Sequence, residues 1–151
     1  MISQTAEYAL RAVMVLGAHL DHPLTTQQIA ASTRVPAGYL SKVLQVLGRA
    51  RLVRARRGLG GGFVLSKSLE KLTVLDVINA VDPLKRIDHC PLGLAAHGRR
   101  MCSLHQRLDL GIAMMESLFG QTTVGQLLAD QNPSRPLCEA VQAEAGSPSK
   151  S

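Results

Sequence analysis

Three side chains in the second half of the chain are equipped for chemistry: Cys90, Cys102 and His105. Cys102 and His105 stand at i and i+3, on one side of a single helical turn, and Cys90 lies in the segment leading into that turn. Thiolate and imidazole are soft donors suited to zinc or an iron–sulfur cluster. The three fall within sixteen residues and contain no tight Cys-x-x-Cys pair. That spacing leaves two other readings open. One is a pair of reduced cysteines beside an exposed histidine. The other is the Cys–His pair of a thiol-dependent enzyme, for which no Asp or Asn partner and no oxyanion-hole motif is evident. Cys138 stands apart, and three cysteines without a secretory signal argue against a disulfide framework.

A second set of residues carries charge rather than reactivity. Arg34, Lys42, Arg49, Arg51, Arg54, Arg56, Arg57 and Lys67 are eight of the seventeen lysines and arginines, and no Asp or Glu occurs between Asp21 and Glu70. Folded domains usually mix their charges, so this strip and the net charge of +6 point to an anionic partner, nucleic acid or membrane surface. A chain of 151 residues, 46% hydrophobic and 3% aromatic, can build a modest core of helices packed on helices with an oligomerisation element. Its apolar run from Ala12 to Leu20 is too short to span a bilayer, and Glu7 and Arg11 interrupt any signal-peptide pattern. A cytoplasmic protein with no membrane partner is expected.

The elements that must position these residues follow from periodicity. Residues 3–20 form a helix with Ala6, Leu10, Val13, Met14 and Gly17 on one face. Thr25 with Gln28 makes a capping box for a short helix of about 26–32. Thr33-Arg34-Val35 is a tight connection, and Pro36 suits the first turn of a third helix over about 36–48. That helix places Leu40, Val43, Leu44 and Leu47 inward, and Ala37, Gly38, Ser41, Lys42 and Gln45 outward. Two short helices around a tight turn fit a helix-turn-helix, whose second helix offers a small, polar face to a major groove. By themselves they equally fit a hairpin with a solvated face. The next segment decides between them. Leu52-Val53 and Phe63-Val64-Leu65 read as strands around a Gly58–Gly62 tip, a wing over about 52–65 that carries Arg54, Arg56 and Arg57. The tip glycines, Gly60 among them, allow close approach to a phosphate backbone or minor groove. The loop lacks the Gly-Lys-Ser/Thr ending of a nucleotide-phosphate loop, and a strand follows where a helix should.

Thr73 with Asp76 caps a fourth helix that Asp82-Pro83 stops. Residues 84–101 are irregular. From Cys102 to about Phe119 a longer helix bears two apolar stripes: Leu104, Leu108, Ile112, Met115 and Phe119 on one, Leu110, Met114 and Leu118 on the other. A helix apolar on two sides has two surfaces to cover, its own domain and a second copy. Thr123 with Gln126 caps a last short helix, and the remainder reads as disordered. The expected organisation is a DNA-binding domain at 1–82, a sensor loop at 83–101, dimerisation and terminal helices at 102–130, and a tail at 131–151. The fold class is mainly α: a winged helix-turn-helix with a small two-stranded wing and a long C-terminal dimerisation helix.

Thr5-Ala-Glu-Tyr-Ala-Leu-Arg-Ala, Pro36-Ala-Gly-Tyr-Leu-Ser-Lys-Val-Leu, Arg57-Gly-Leu-Gly-Gly-Gly-Phe, Thr73-Val-Leu-Asp-Val-Ile-Asn-Ala-Val-Asp and the Cys90–His105 segment together carry a resemblance. Over residues 1 to about 130 the chain resembles the Rrf-two family of bacterial transcription regulators, of the IscR/NsrR kind. The resemblance implies a homodimeric winged-helix regulator. In cluster-binding members a 2Fe–2S or 4Fe–4S cluster sits at the base of the dimerisation helix. Three loop cysteines hold it, together with a nearby histidine or an acid on the partner's first helix. Cys90 and Cys102 match the first and third cysteines, His105 the histidine, and Glu7 the partner acid. Ala96 stands at the middle cysteine, with His97 beside it, so His97 or Glu7 would complete the set. The family also includes cluster-free members controlled by a partner protein.

The function expected is that of a dimeric, sequence-specific regulator, a repressor, bound to a palindromic double-stranded operator. Ser41, Lys42 and Gln45 would meet base edges and Tyr39 the backbone. Arg57, with Arg54, Arg56 and Gly60, would serve the wing. A cluster at Cys90, Cys102 and His105, ahead of zinc, would sense redox state, nitric oxide or iron–sulfur status. The alternatives are a cluster-free regulator gated by a partner protein or small molecule, and then the thiol-dependent enzyme.

Overall fold

A computed structural model describes residues 2–97, 100–132 and 134, with the side chain of His97 outside that set. At its centre lies helix α1, Gln4–Ala18, capped by the Ser3 hydroxyl, which accepts from the Ala6 amide. It is two residues shorter at its C-terminal end than the predicted 3–20 helix, closing on His19. Ala6, Val13, Met14 and Gly17 are buried as their spacing predicts, but so are Ala9, Ala12, Val15 and Leu16. The helix is therefore enclosed on most sides rather than along one stripe. Small residues permit this: a Cβ on Gly17 would come within 2.9 Å of Leu128.

Helix α2, Thr26–Thr33, starts with the reciprocal Thr25–Gln28 capping box and ends on Arg34 in the left-handed region at φ 56°. Helix α3, Ala37–Arg49, follows. Pro36 is its N-cap rather than a first-turn residue, so the helix is shifted one residue from the predicted 36–48. Leu40, Val43, Leu44 and Leu47 are buried against α1 and α2, at no more than 2% exposure. The chain then turns back through Arg51, again left-handed, into the antiparallel pair β1, Val53–Arg56, and β2, Gly62–Leu65. The register pairs Val53 with Leu65 and Arg56 with Gly62. Strand β1 runs three residues beyond the predicted Leu52-Val53 and takes in Arg54 and Arg56. The wing also has a support that local patterns do not show. The Leu24 amide donates to the Phe63 carbonyl at 3.1 Å, and the Phe63 amide returns to Leu24 at 2.7 Å.

Helix α4, Val74–Val81, begins with the Thr73–Asp76 capping box, and Lys67 adds an ion pair to Asp76 at 2.6 Å. Burial alone would raise the Asp76 carboxyl, but the Lys67 and Thr73 hydrogen bonds outweigh it and hold it below its ordinary value. Beyond α4 the chain is irregular except for a 3-10 turn at Ala95–His97. Helix α5 spans Ser103–Gln121 with Cys102 at its N-cap position, against the expected Cys102 to Phe119. The Thr123–Gln126 capping box opens α6, Val124–Ala129. Backbone bonds from Val74 to Thr122 at 2.9 Å and from Val124 to Leu72 at 2.8 Å tie the starts of α4 and α6 together.

The main core joins α1, α2, α3 and the wing base; a smaller cluster sets Ala6, Val74 and Ile78 against Phe119. Among the described residues no helix is long and apolar enough to cross a membrane. Most of the predicted 131–151 tail, including Cys138, lies outside the described residues.

Candidate functional site

The outer face of α3 presents Lys42 and Gln45 to solvent. Ser41, beside them, donates its hydroxyl to the Ala37 carbonyl at 3.0 Å, which leaves the oxygen free to accept. Tyr39 behaves differently. Although 39% exposed, its hydroxyl meets the Thr5 hydroxyl at 2.5 Å, and its ring stands edge-on to Tyr8 with centroids 5.5 Å apart. It is a strut between α1 and α3. Arg11 extends the strut, stacking over Tyr8 at 5.6 Å, donating to the Thr33 carbonyl at the end of α2 at 3.2 Å and pairing with Glu7.

On the wing Arg54, Arg56 and Arg57 are all exposed. Arg54 and Arg56, two apart in a strand, point to one face. The tip turns on a Gly61 amide to Gly58 carbonyl bond of 3.0 Å, with Gly58 and Gly60 left-handed at φ 104° and 70°. Leu59 between them is fully exposed. Nothing lies within 4 Å of a Cβ placed on Gly60, whereas one on Gly62 would overlap the Leu24 backbone. Open space at Gly60 leaves the tip accessible, and the close approach at Gly62 seats the wing on the segment entering α2.

The sulfur residues come together. Cys90, 6% exposed, has its Sγ 3.9 Å from His105 Nδ1, and Cys102 Sγ lies 3.2 Å from the same nitrogen. These separations bracket the roughly 3.5 Å that bond lengths of about 2.3 and 2.0 Å imply between sulfur and nitrogen ligands of one tetrahedral ion. The donor types thus suit a soft metal or cluster. Among the described residues, however, no group of three or more His, Cys, Asp or Glu is arranged to hold a metal ion. Glu7 does not join the three in its own chain. It lines a groove with Leu118 and Phe119, at the far end of α5, and sixteen residues of helix separate Leu118 from Cys102, on the order of 20 Å.

A clamp absent from the sequence reading holds the loop to α5. Arg86 Nε and Nη2 donate to the two Asp109 oxygens at 2.6 and 2.5 Å, and the Ile87 amide donates to Asp109 at 2.9 Å. Arg86 also reaches Glu116 at 3.5 Å. The Arg86 guanidinium, with the Ile87 amide, lowers the Asp109 carboxyl to about 2, and the same pairing raises Arg86 further above its ordinary value. Asp109 is the one buried residue of α5. A usable signal was present: Cys102, His105 and Asp109 step by three and four along one face, and a carboxylate there needs a partner.

An enclosed helical core, a two-stranded wing seated on the segment entering α2 and an acid-free stretch over residues 22–69 are the features of a winged-helix protein. The profile of the Rrf2 family, described as Iron-dependent Transcriptional regulator, matches residues 2–130, and the chain belongs to that family. A protein of Aquifex aeolicus that bears the name of an HTH-type transcriptional regulator is 26% identical over 131 residues, 85% of this chain and 91% of its own. Among solved structures, T. potens IscR superposes with a TM-score of 0.73 at 20% identity, covering 99% of this chain and 93% of its own. CymR (YrzC), the global cysteine regulator of B. subtilis, gives 0.70 at 22%, covering 84% and 95%. The family and these relatives are regulators, which removes the thiol-dependent enzyme.

Proposed function

We propose that the chain is a homodimeric repressor that reads a palindromic operator with α3 and grips the adjacent backbone with its wing. The reading is carried by one observation. A single acid-free stretch, residues 22–69, holds both an exposed polar helix face, with Lys42 and Gln45, and the exposed wing arginines 54, 56 and 57. Lys42, Gln45 and Ser41 meet base edges. Arg54, Arg56, Arg57 and Gly60 meet phosphate or minor groove, and the exposed part of Tyr39 meets the backbone beside them. Dimerisation is supported by α5, where Leu104, Leu108, Leu110, Met114 and Leu118 are each at least half exposed; a second copy of α5 would cover them. Two heads on one dimer read half-sites about one helical turn, or a multiple of it, apart. The test is a gel shift on the protein's own promoter region. Replacing Arg57 and Lys42 together by Ala is expected to weaken binding about tenfold or more and to flatten its salt dependence. Unchanged binding overturns these assignments.

Cys90, Cys102 and His105 are the residues that would hold a 2Fe–2S or 4Fe–4S cluster, in preference to zinc. The fourth ligand would be His97 or Glu7 of a second copy. Glu7 lies beside the end of α5, so an antiparallel crossing of two α5 helices would bring it toward the other chain's Cys102. A cluster held there would supply a centre sensitive to oxidants, nitric oxide and iron supply, and could act only through a difference in stability between DNA-affinity states of the protein. A cluster-free regulator gated by a partner protein or small molecule is the second reading, favoured by Ala96 at the middle cysteine position. Anaerobically prepared protein that is coloured and holds iron and acid-labile sulfide selects the first. Colourless protein that still binds DNA after reconstitution selects the second.

A further inference from the structure

The Arg86–Asp109 clamp lies next to the sulfur site and on the same side of α5. Asp109 follows His105 by one turn and Cys102 by two, so the three share a helix face. Its carboxylate takes three hydrogen bonds from the loop, two from Arg86 and one from the Ile87 amide. Cys90 stands three residues after Ile87. Three extended residues reach about 10 Å, and the rise from Asp109 back to His105 is about 6 Å of helix. The loop therefore runs antiparallel along α5, with Ile87 held at Asp109 and Cys90 delivered to His105. Asp109 is the one buried side chain of α5; the helix's Phe119 packs farther along, against the cluster of Ala6, Val74 and Ile78.

We propose that Asp109 is a positioning residue for the thiol–imidazole site: by gripping Arg86 and the Ile87 amide it sets the loop's register on α5 and so brings Cys90 beside Cys102 and His105. The proposal rests on the reading of these three side chains as a soft-metal site. In that setting it adds an outer residue that touches no ligand atom yet governs how many thiolates reach the ion. Outer partners of this kind change metal affinity by about 10–100-fold.

The test uses the full-length, reduced protein with Cys138 replaced by Ser, so that only two thiols remain. Cobalt(II) reports thiolate ligands through its sulfur-to-metal charge-transfer absorption. Phenylarsine oxide, which bridges two neighbouring thiols, reports their proximity without a metal. Asp109→Asn keeps the shape and loses the ionic grip. It is expected to bind cobalt at least tenfold more weakly, with the charge-transfer intensity of Cys90→Ala, and to lose arsenical bridging while its helix content stays unchanged. Asp109→Glu should restore part of both. Where Asp109→Asn does not fold, Arg86→Gln, which leaves the Ile87 bond in place, gives the same comparison. Two-thiolate cobalt spectra and full arsenical bridging in Asp109→Asn, or in Arg86→Gln where that replaces it, overturn the proposal. A parent protein that bridges the arsenical but gives no thiolate–cobalt absorption overturns the metal reading alone. The arsenical comparison then still decides the role of Asp109.

Discussion

In the winged-helix head, Leu40, Leu44 and Leu47 of α3 and Ile29 of α2 have no exposed surface and close over α1. In the arm, the nineteen residues of α5 bury one side chain, and that one is a carboxylate. The head is held by apolar burial, which is non-directional and tolerant of its surroundings. The arm is held to its loop by an ion pair, a hydrogen bond from the Ile87 amide and sulfur–imidazole contacts, and turns its leucines and Met114 outward. The far end of α5 is joined to the head through Phe119 and the buried Val124 of α6, while the leucines along its length stay uncovered.

Truncation in the head probes the contrast most strongly. Leu44→Ala removes a fully buried side chain and is expected to lower stability by about 2–5 kcal/mol in denaturant melts. Leu118→Ala on the arm should change the same melt by less than about 0.5 kcal/mol at concentrations where the chain is monomeric. Comparable losses from both would erase the distinction. Placing charge on the arm gives the next test. Met114→Glu with Leu118→Glu is expected to weaken self-association about a hundredfold in sedimentation equilibrium, with the circular dichroism of the head intact. An unchanged mass would show that this face is not where two copies meet.

Acid provides the gentlest probe. The Asp109 carboxyl is held at about 2 in the folded chain against about 3.9 when free. Its contribution is therefore complete above pH ~4 and fades as pH falls toward 2. Loop attachment, followed by the Ile87 amide signal, should loosen across that window, and Asp109→Asn should loosen it at all pH values. Loosening that begins near neutrality would point to another group.

What could be read in advance was local. Each of the three capping boxes, at Thr25, Thr73 and Thr123, needs only a hydroxyl and an acceptor three residues apart, and all three are present. The inward face of α3 was equally plain, because four apolar residues at helical spacing leave one way to turn the helix. The convergence of Cys90 with His105 was half legible: the helical turn gave Cys102 and His105, and the loop contributed Cys90. What escaped were pairings between distant segments. Thr5 with Tyr39, Leu24 with Phe63 and Arg86 with Asp109 lie 34, 39 and 23 residues apart. No periodicity announces a partner that only tertiary packing brings near. The all-round burial of α1 escaped for a related reason, since alanine is small enough to suit either an exposed or a crowded face.

The backbone bridge between Leu24 and Phe63 has a consequence for the DNA. It pins strand β2, beside the wing tip, to the segment that leads into α2, so in the proposed complex the span from the α3 contact to the wing contact is set by the protein. A duplex whose width or bend does not match that span must deform to touch both. Flexible base steps between the two contacts, reached by no side chain, would then weigh in the choice of operator through their stiffness.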